Sequence, residues 1–125
     1  GETELKVPAL SSVWLGKEEL PDADFRHHYV SYDCYRDGRQ ISGGTVLFAA
    51  LKLFAFIDPK LTVRVEGDEL RIGASAFAKS VEIANDADDL LLSDNYFDMN
   101  AGEKRVKLLS GRPEGLKLRS VFDIR

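Results

Sequence analysis

The stretch that decides the fold is LTVRVEGDELRI, residues 61–72, in a chain of 125 residues. Apolar and polar side chains alternate on both sides of Gly67-Asp68, as in strands that bury one face. The apolar members are Leu61, Val63 and Val65 before the break and Leu70 and Ile72 after it. Glycine at the first central position suits a type II′ turn, so the stretch predicts a β-hairpin.

The runs that follow continue this alternation toward the end of the chain. The segments FAKSVEI, DLLLSDNYF and KRVKLL each predict a strand, and LKLRSVFDIR, residues 116–125, predicts the clearest one. Residues 58–125 therefore contain about six short strands, with turn signals at the spacing typical of an antiparallel sandwich. The predicted fold class is all-β, an immunoglobulin-like antiparallel β-sandwich.

Residues 1–57 read differently and leave two alternatives open. LKVPALSSVWL predicts a strand interrupted by Pro8, HHYVSYDCYRDGRQISGGTVLF predicts a hairpin that turns at residues 36–39, and AALKLFAF follows. Three or four strands are too few for an independent sandwich. They are either the terminal strands of a preceding sandwich domain or the N-terminal strands of the sandwich formed by 58–125. In isolation, their free edges favour pairing into a homodimer.

Composition narrows the classes of partner. The 17 basic and 21 acidic residues give a net charge of −4 and are spread along the chain, which argues against nucleic acid. The longest apolar run, residues 45–57, contains Lys52 and is too short to cross a membrane. The chain begins GETELKVPAL, without an initiator Met or a signal peptide, which indicates a piece of a longer polypeptide.

A carboxylate pair is the first candidate for catalysis. Asp94 and Asp98 are four residues apart, and in a strand this places them on one face but roughly 13 Å apart, too far for glycosidase chemistry. The alternative is a structural corner formed by Asp94, Asn95 and Tyr96, in which the tyrosine ring enters the core and its hydroxyl bonds to upstream backbone. Asp94 and Asn95 would then cap loop amides. No catalytic residue is predicted.

The sequence contains only weak motifs for a metal site or a catalytic nucleophile. Asp86, Asp88 and Asp89 begin like a calcium loop, but Leu90 and Leu91 stand where an oxygen ligand and a glycine are needed. His27 and His28 lie upstream of Asp33 and Cys34, but neighbouring strand residues point to opposite faces, so both imidazoles cannot bind one metal. The single thiol of Cys34 is expected to be buried. No metal ion or cofactor is predicted.

Aromatic residues near the start of the chain offer an alternative function. Trp14, Tyr29, Tyr32 and Tyr35 carry rings that can stack on sugars, and Tyr29 and Tyr35 share one side of a strand. Trp14, Tyr29 and Tyr35 are therefore the candidate contacts of a carbohydrate-binding module for mannose-containing glycans.

The sequence resembles the C-terminal end of beta-mannosidases of glycoside hydrolase family 2. The segments that carry the resemblance are HHYVSYDCYRDGRQISGGTVLFAALKLFAF, LLLSDNYFDMNAGEKRVKLL and LKLRSVFDIR. The resemblance implies a modular enzyme, with a catalytic (β/α)₈ barrel carrying two glutamates, that ends in immunoglobulin-like sandwiches. It also implies that the parent enzyme is periplasmic or secreted, and that this chain is a non-catalytic accessory domain whose partners are the other domains.

Overall fold

The computed structural model describes residues 1–124, and nearly all of its regular structure is β. The strands are β1 (Tyr29–Arg36), β2 (Arg39–Leu47), β3 (Thr62–Glu66), β4 (Glu69–Ala74), β5 (Ala78–Ala84), β6 (Leu91–Leu92), β7 (Phe97–Met99), β8 (Gly102–Ser110) and β9 (Lys117–Arg119). A 3₁₀ turn at Leu51–Leu53 follows β2, and α1 (Val121–Ile124) is a single helical turn.

Two antiparallel sheets form the sandwich. One has the order β3-β4-β8-β6 and the other the order β7-β5-β9. The side chains of their inner faces make the main core: Leu70, Ile72, Ala78, Val81, Ile83, Phe97, Met99 and Val106. The predicted all-β, immunoglobulin-like antiparallel sandwich is confirmed.

The β3–β4 hairpin forms as its sequence predicts. Glu66 pairs with Glu69 across the two-residue loop, and Gly67 has φ +63° while Asp68 is not left-handed. This fits a type II′ turn, which has one left-handed residue at its first central position. Leu70 and Ile72 are completely buried because β4 lies between β3 and β8, whereas Val65 on the edge strand is exposed.

The run DLLLSDNYF is not the single strand that its apolar residues predict. Its residues Leu91–Leu92 form β6, which pairs with β8, and its last residue, Phe97, begins β7, which pairs with β5, so the chain passes from one sheet to the other between them. Phe97 of β7 is buried in the main core, and Leu92 of β6 packs against the same core from the other sheet.

The last predicted strand is also shorter than expected, and Arg125 at its end lies outside the described residues. Only Lys117–Arg119 forms β9, and the chain then turns into α1. The Ser120 hydroxyl accepts the Phe122 N–H, while the Asp123 carboxylate accepts the Ser120 N–H at 2.7 Å. This reciprocal capping stabilises the start of a helical turn. Phe122 and Ile124, which the alternation places on one face of a strand, therefore lie in α1.

Residues 1–57 contain one hairpin. β1 and β2 pair around Asp37 and Gly38, whose φ values of +51° and +74° fit a type I′ turn, and the predicted turn is confirmed. The strand expected around Pro8 is absent, since no strand lies within residues 1–28. The hairpin is a sheet of its own among the described residues.

A second apolar cluster joins this hairpin to the sandwich. Phe54, Phe56, Phe77 and Val121 are its buried members, and Tyr29 and Leu47 of the hairpin pack against it. The Tyr29 ring stacks on Phe77 with centroids 3.9 Å apart. Whether residues 1–57 belong to this domain or to a preceding one stays a prediction.

Candidate functional site

A polar cleft separates the hairpin from the sandwich. Its volume is about 650 Å³. The hairpin contributes Ser31, Asp33, Gln40 and Thr45 to one wall, and the sandwich contributes residues from β5, β7, β8 and the segment before β7 to the other. Polar side chains from distant parts of the described chain converge in this cleft.

Asp98 joins the two walls at the base of the cleft. Its carboxylate accepts hydrogen bonds from the Thr45 hydroxyl of β2 and from the Ser80 N–H of β5, the latter at 2.9 Å. The ammonium of Lys79 lies 2.5 Å from the same carboxylate. Three strands therefore meet at one acid whose side chain is only 17% exposed.

The local backbone explains why Asp98 reaches Ser80. The pairing of β5 with β7 shifts register between Ala78 and Val81, which leaves Lys79 and Ser80 opposite a single residue as a β-bulge. Ser80 adopts a left-handed φ of +52°, and its N–H turns to the Asp98 carboxylate. The bulge also explains why Ala78 joins the main core while Phe77 joins the second cluster.

The ionisation of Asp98 follows from these partners. Burial is the largest single influence and by itself raises the pKa of Asp98, but the hydrogen bonds from Lys79, Thr45 and Ser80 together outweigh it and lower the pKa. A general acid needs the opposite shift, since its pKa must rise toward the working pH. Asp98 is therefore built to stay ionised.

A second chain of hydrogen bonds links the two walls of the cleft. The Tyr29 hydroxyl donates to Asn100 Oδ1 at 2.7 Å, and Asn100 Nδ2 donates to the Ser31 hydroxyl at 3.2 Å. Sequence reasoning missed Thr45, Lys79 and Asn100. Only Lys79 had a local signal, because regular alternation of FAKSVEI would place this charged residue on the apolar face of Val81 and Ile83 unless a bulge intervenes.

The predicted corner forms differently from expectation. Asn95 Oδ1 accepts the Ile83 N–H at 2.9 Å, and Asn95 Nδ2 donates to the Ile83 carbonyl at 3.0 Å. Asp94 caps no loop amide and instead accepts from Lys104 at 2.8 Å. The Tyr96 ring is 65% exposed and does not enter the core. Its hydroxyl donates to the Glu82 carboxylate, so no tyrosine corner forms.

Tyr96 and its partners form an exposed polar chain. The Glu82 carboxylate also accepts from Arg119, and this bond is the main reason that the pKa of Glu82 is lowered. The hydrogen bond to Glu82 in turn raises the pKa of Tyr96. Tyr96 is therefore neutral and held in place at its hydroxyl.

The remaining candidates for metal binding or nucleophilic chemistry do not converge. Residues 1–124 contain no group of three or more His, Cys, Asp or Glu side chains arranged to hold a metal ion. His27 pairs with the Asp24 carboxylate at 2.7 Å and His28 accepts the Asp24 N–H, so both stabilise the turn that leads into β1. Cys34 is exposed rather than buried, because it lies on the outer face of an isolated hairpin.

The three aromatic residues proposed as glycan contacts lie in different settings. Trp14 is 95% exposed in the irregular segment before β1, and Tyr35 is exposed near the tip of the hairpin. Tyr29 is half-buried, its ring stacks on Phe77 and its hydroxyl bonds to Asn100. The structure does not bring the three rings into one platform.

Apolar exposure is concentrated on the first part of the chain. Of the 21 exposed large hydrophobic residues in the described chain, 16 lie within residues 1–57. No residue before Phe54 is buried. The outer face of the hairpin, which we define by Val30, Tyr32 and Val46, contributes to this surface through Tyr32 and Val46, which are exposed, whereas Val30, the partner of Val46, is half-buried.

Comparisons with known proteins bear on the sandwich. Residues 56–124, more than half of the chain, match the family model Ig_mannosidase, which is described as an Ig-fold domain. No curated protein matches the chain. The described residues contain no helix with the length and apolar character needed to cross a membrane.

Proposed function

Because the chain belongs to the Ig_mannosidase family of Ig-fold domains, we propose that it is a non-catalytic accessory domain of a beta-mannosidase-like glycoside hydrolase. In this role it packs against the neighbouring domains of the enzyme and stabilises them. The domain type is non-catalytic, and Asp98, the acid at the base of the cleft, is held ionised rather than poised for proton transfer.

The observation that carries the proposal is the uneven distribution of exposed apolar residues. Contiguous apolar surface on a soluble domain marks an interaction site when it exceeds what single exposed side chains produce. Here 16 of the 21 exposed large hydrophobic residues of the described chain lie within residues 1–57, and two of them, Phe25 and Phe48, have rings in contact at a centroid distance of 5.4 Å. A neighbouring domain that covers these rings gains the free energy of burying them.

The hairpin supports the same proposal through its backbone. A two-stranded sheet is marginally stable in water, and three or more strands with a covered face are needed for independent stability. β1 and β2 have eight and nine residues and no third strand in the described chain. A strand from an adjacent domain would complete this sheet and cover its outer face, as expected for the end of a preceding sandwich.

The experiment compares two matched substitutions in the parent enzyme and in the isolated chain. Val46→Lys places a charge on the outer face of the hairpin, and Leu109→Lys places one on β8 at another exposed apolar position. We expect Val46→Lys to lower the melting temperature and turnover of the parent enzyme, and Leu109→Lys to leave both unchanged. In the isolated chain, neither substitution should lower the melting temperature of the sandwich. Equal effects of the two substitutions in the parent enzyme would refute the docking role.

A further inference from the structure

The polar cleft has features that the docking role does not use. It lies between the inner face of the hairpin and the sandwich, whereas the apolar docking surface lies on residues 1–57 outside it. Its volume of about 650 Å³ falls within the range of roughly 300–1,000 Å³ common for small-ligand sites. Most of its lining is polar, so an apolar ligand would leave buried hydrogen-bonding groups without partners.

The charges of the cleft are paired within it. Lys79 bonds to Asp98, and Lys104 bonds to Asp94. Asp33 is the fifth charged group of the lining, and none of the cationic side chains in residues 1–124 forms a salt bridge with it. The walls therefore offer no cluster of like charge to attract an anion or a cation, and this balance favours an uncharged, hydroxyl-rich ligand.

Tyr96 supplies a rigid aromatic surface at the cleft. Its φ of +57° is costly for a residue other than glycine, and such strain persists only where surrounding contacts fix it. The Asn95 amide bonds to both backbone groups of Ile83 and fixes the chain on one side of the ring, while Glu82 fixes the hydroxyl. A ring that is already immobile loses little rotamer entropy when a ligand stacks on it.

The opposite wall supplies hydrogen-bonding groups with spare capacity. Gln40 Nε2 donates to Asp33 Oδ1 at 2.6 Å, and both residues are exposed. A carboxylate has about four acceptor sites and an amide has two donors and an acceptor, so most of their capacity stays open in the described chain. Planar carboxylate and amide groups can each bond to two adjacent hydroxyl groups at once.

We propose that this cleft is a binding site for a neutral saccharide, in which the Tyr96 ring stacks on one sugar face and Asp33 and Gln40 bond to its hydroxyl groups. The assignment differs from a platform of Trp14, Tyr29 and Tyr35, and it does not depend on the docking role. Asn100 and Ser31 also line the cleft, and the hydrogen bonds of Asn100 to Ser31 and to Tyr29 link the two walls.

The test is a titration of the ¹⁵N-labelled chain with β-1,4-linked mannotriose, followed by backbone amide shifts. We expect saturable shifts at Ser31, Gly43 and Asn100 and at the residues around Tyr96. Tyr96→Gly removes the ring together with the backbone strain, and it should abolish the shifts without unfolding the domain. Tyr96→Phe keeps the ring and should retain binding, and Asp33→Ala should weaken binding about tenfold.

Two controls make the outcome decisive. Tyr35→Ala removes an exposed ring that does not line the cleft, and it should leave the affinity unchanged. Because the ligand is uncharged, the affinity should also be insensitive to added salt. Absence of shifts at 50-fold molar excess and millimolar sugar, shifts confined to Trp14 or Tyr35, or binding that survives Tyr96→Gly would each overturn the proposal.

Discussion

Asp98 shows how one side chain can hold separate parts of the molecule together. Its carboxylate satisfies the N–H of the left-handed Ser80, accepts from Thr45 of the hairpin and pairs with Lys79. Hydrogen bonds to an ionised acceptor are stronger than those between neutral groups, and a partly buried position screens them less. Loss of the charge of Asp98 therefore weakens both the bulge in β5 and the contact between the hairpin and the sandwich.

The first prediction concerns the charge of Asp98. Since the pKa of Asp98 is lowered in the folded state, its contribution to stability is present above its unfolded pKa of about 3.9 and is lost as the pH falls through the lower folded value. Asp98→Asn should reduce the free energy of unfolding by about 1–3 kcal/mol at pH 7, and by clearly less at pH 2. Urea unfolding at both pH values measures the difference.

Asp94→Asn is the matched control for that prediction. Asp94 also pairs with a lysine, but its side chain is 47% exposed. An exposed pair contributes about 0–1 kcal/mol, so the control should change little at pH 7. An equal loss in both variants, or a loss in Asp98→Asn that is the same at the two pH values, would contradict the interpretation.

The second prediction concerns Asn95, whose amide acts as an extra backbone pair. It bonds to both the N–H and the carbonyl of Ile83, a residue that is 2% exposed, and so continues the β5–β7 ladder beyond the pairing of Val81 with Phe97. Asn95→Ala leaves both groups unsatisfied and should cost about 2–4 kcal/mol of unfolding free energy. Tyr96→Phe loses one exposed bond and should cost far less in the same denaturant titration.

At the scale of elements, sequence and structure agree where the determining contacts are local. The β3–β4 hairpin follows from alternation on both sides of Gly67, and the β1–β2 turn follows from Asp37-Gly38. The strand predicted for LKLRSVFDIR ends early because Ser120 and Asp123, three residues apart, cap a helical turn. That spacing is a capping signal that can be read from the sequence.

The cleft could not be predicted from sequence in the same way. The bond between Thr45 and Asp98 joins residues 53 apart, and the bond between Tyr29 and Asn100 joins residues 71 apart. No pattern within a strand encodes such pairs, since they depend on how the hairpin packs on the sandwich. In the segment Asp94-Asn95-Tyr96, the bond to upstream backbone expected of the tyrosine is made by Asn95, which bonds to Ile83, while the Tyr96 hydroxyl bonds to Glu82.

The third prediction tests how the hairpin is held. Tyr29 is the hairpin residue that both stacks on Phe77 and bonds to Asn100. Tyr29→Ala should speed hydrogen exchange at the amides of β1 and β2 at least tenfold, while the amides of β4 and β8 keep their protection because the main core is intact. Tyr35→Ala removes an exposed ring and should leave both sets unchanged. Uniform loss of protection in Tyr29→Ala would instead indicate a single cooperative unit.

The whole molecule is asymmetric, with a well-filled sandwich at one end and an open hairpin at the other. All of the large, completely buried side chains belong to the sandwich: Leu70, Ile72, Val81 and Val106. The hairpin edge has little protection against pairing with another chain, because residues 40–51, QISGGTVLFAAL, contain no charge and no proline. Covering this edge would therefore protect the isolated chain against pairing with a second copy.

The last prediction follows from that edge. The isolated chain should associate as its concentration rises, and sedimentation equilibrium should show an average mass above the 13.9 kDa of the monomer. Ser42→Lys places a positive charge on the exposed half of β2, so two paired copies would repel, and the mass should fall to that of the monomer. High salt should partly restore association because it screens this repulsion. Ser110→Lys adds the same charge to β8 and should have no effect. A wild-type chain that stays monomeric at every concentration would show that the hairpin edge is already protected. The proposed docking would then be driven by burial of apolar side chains alone.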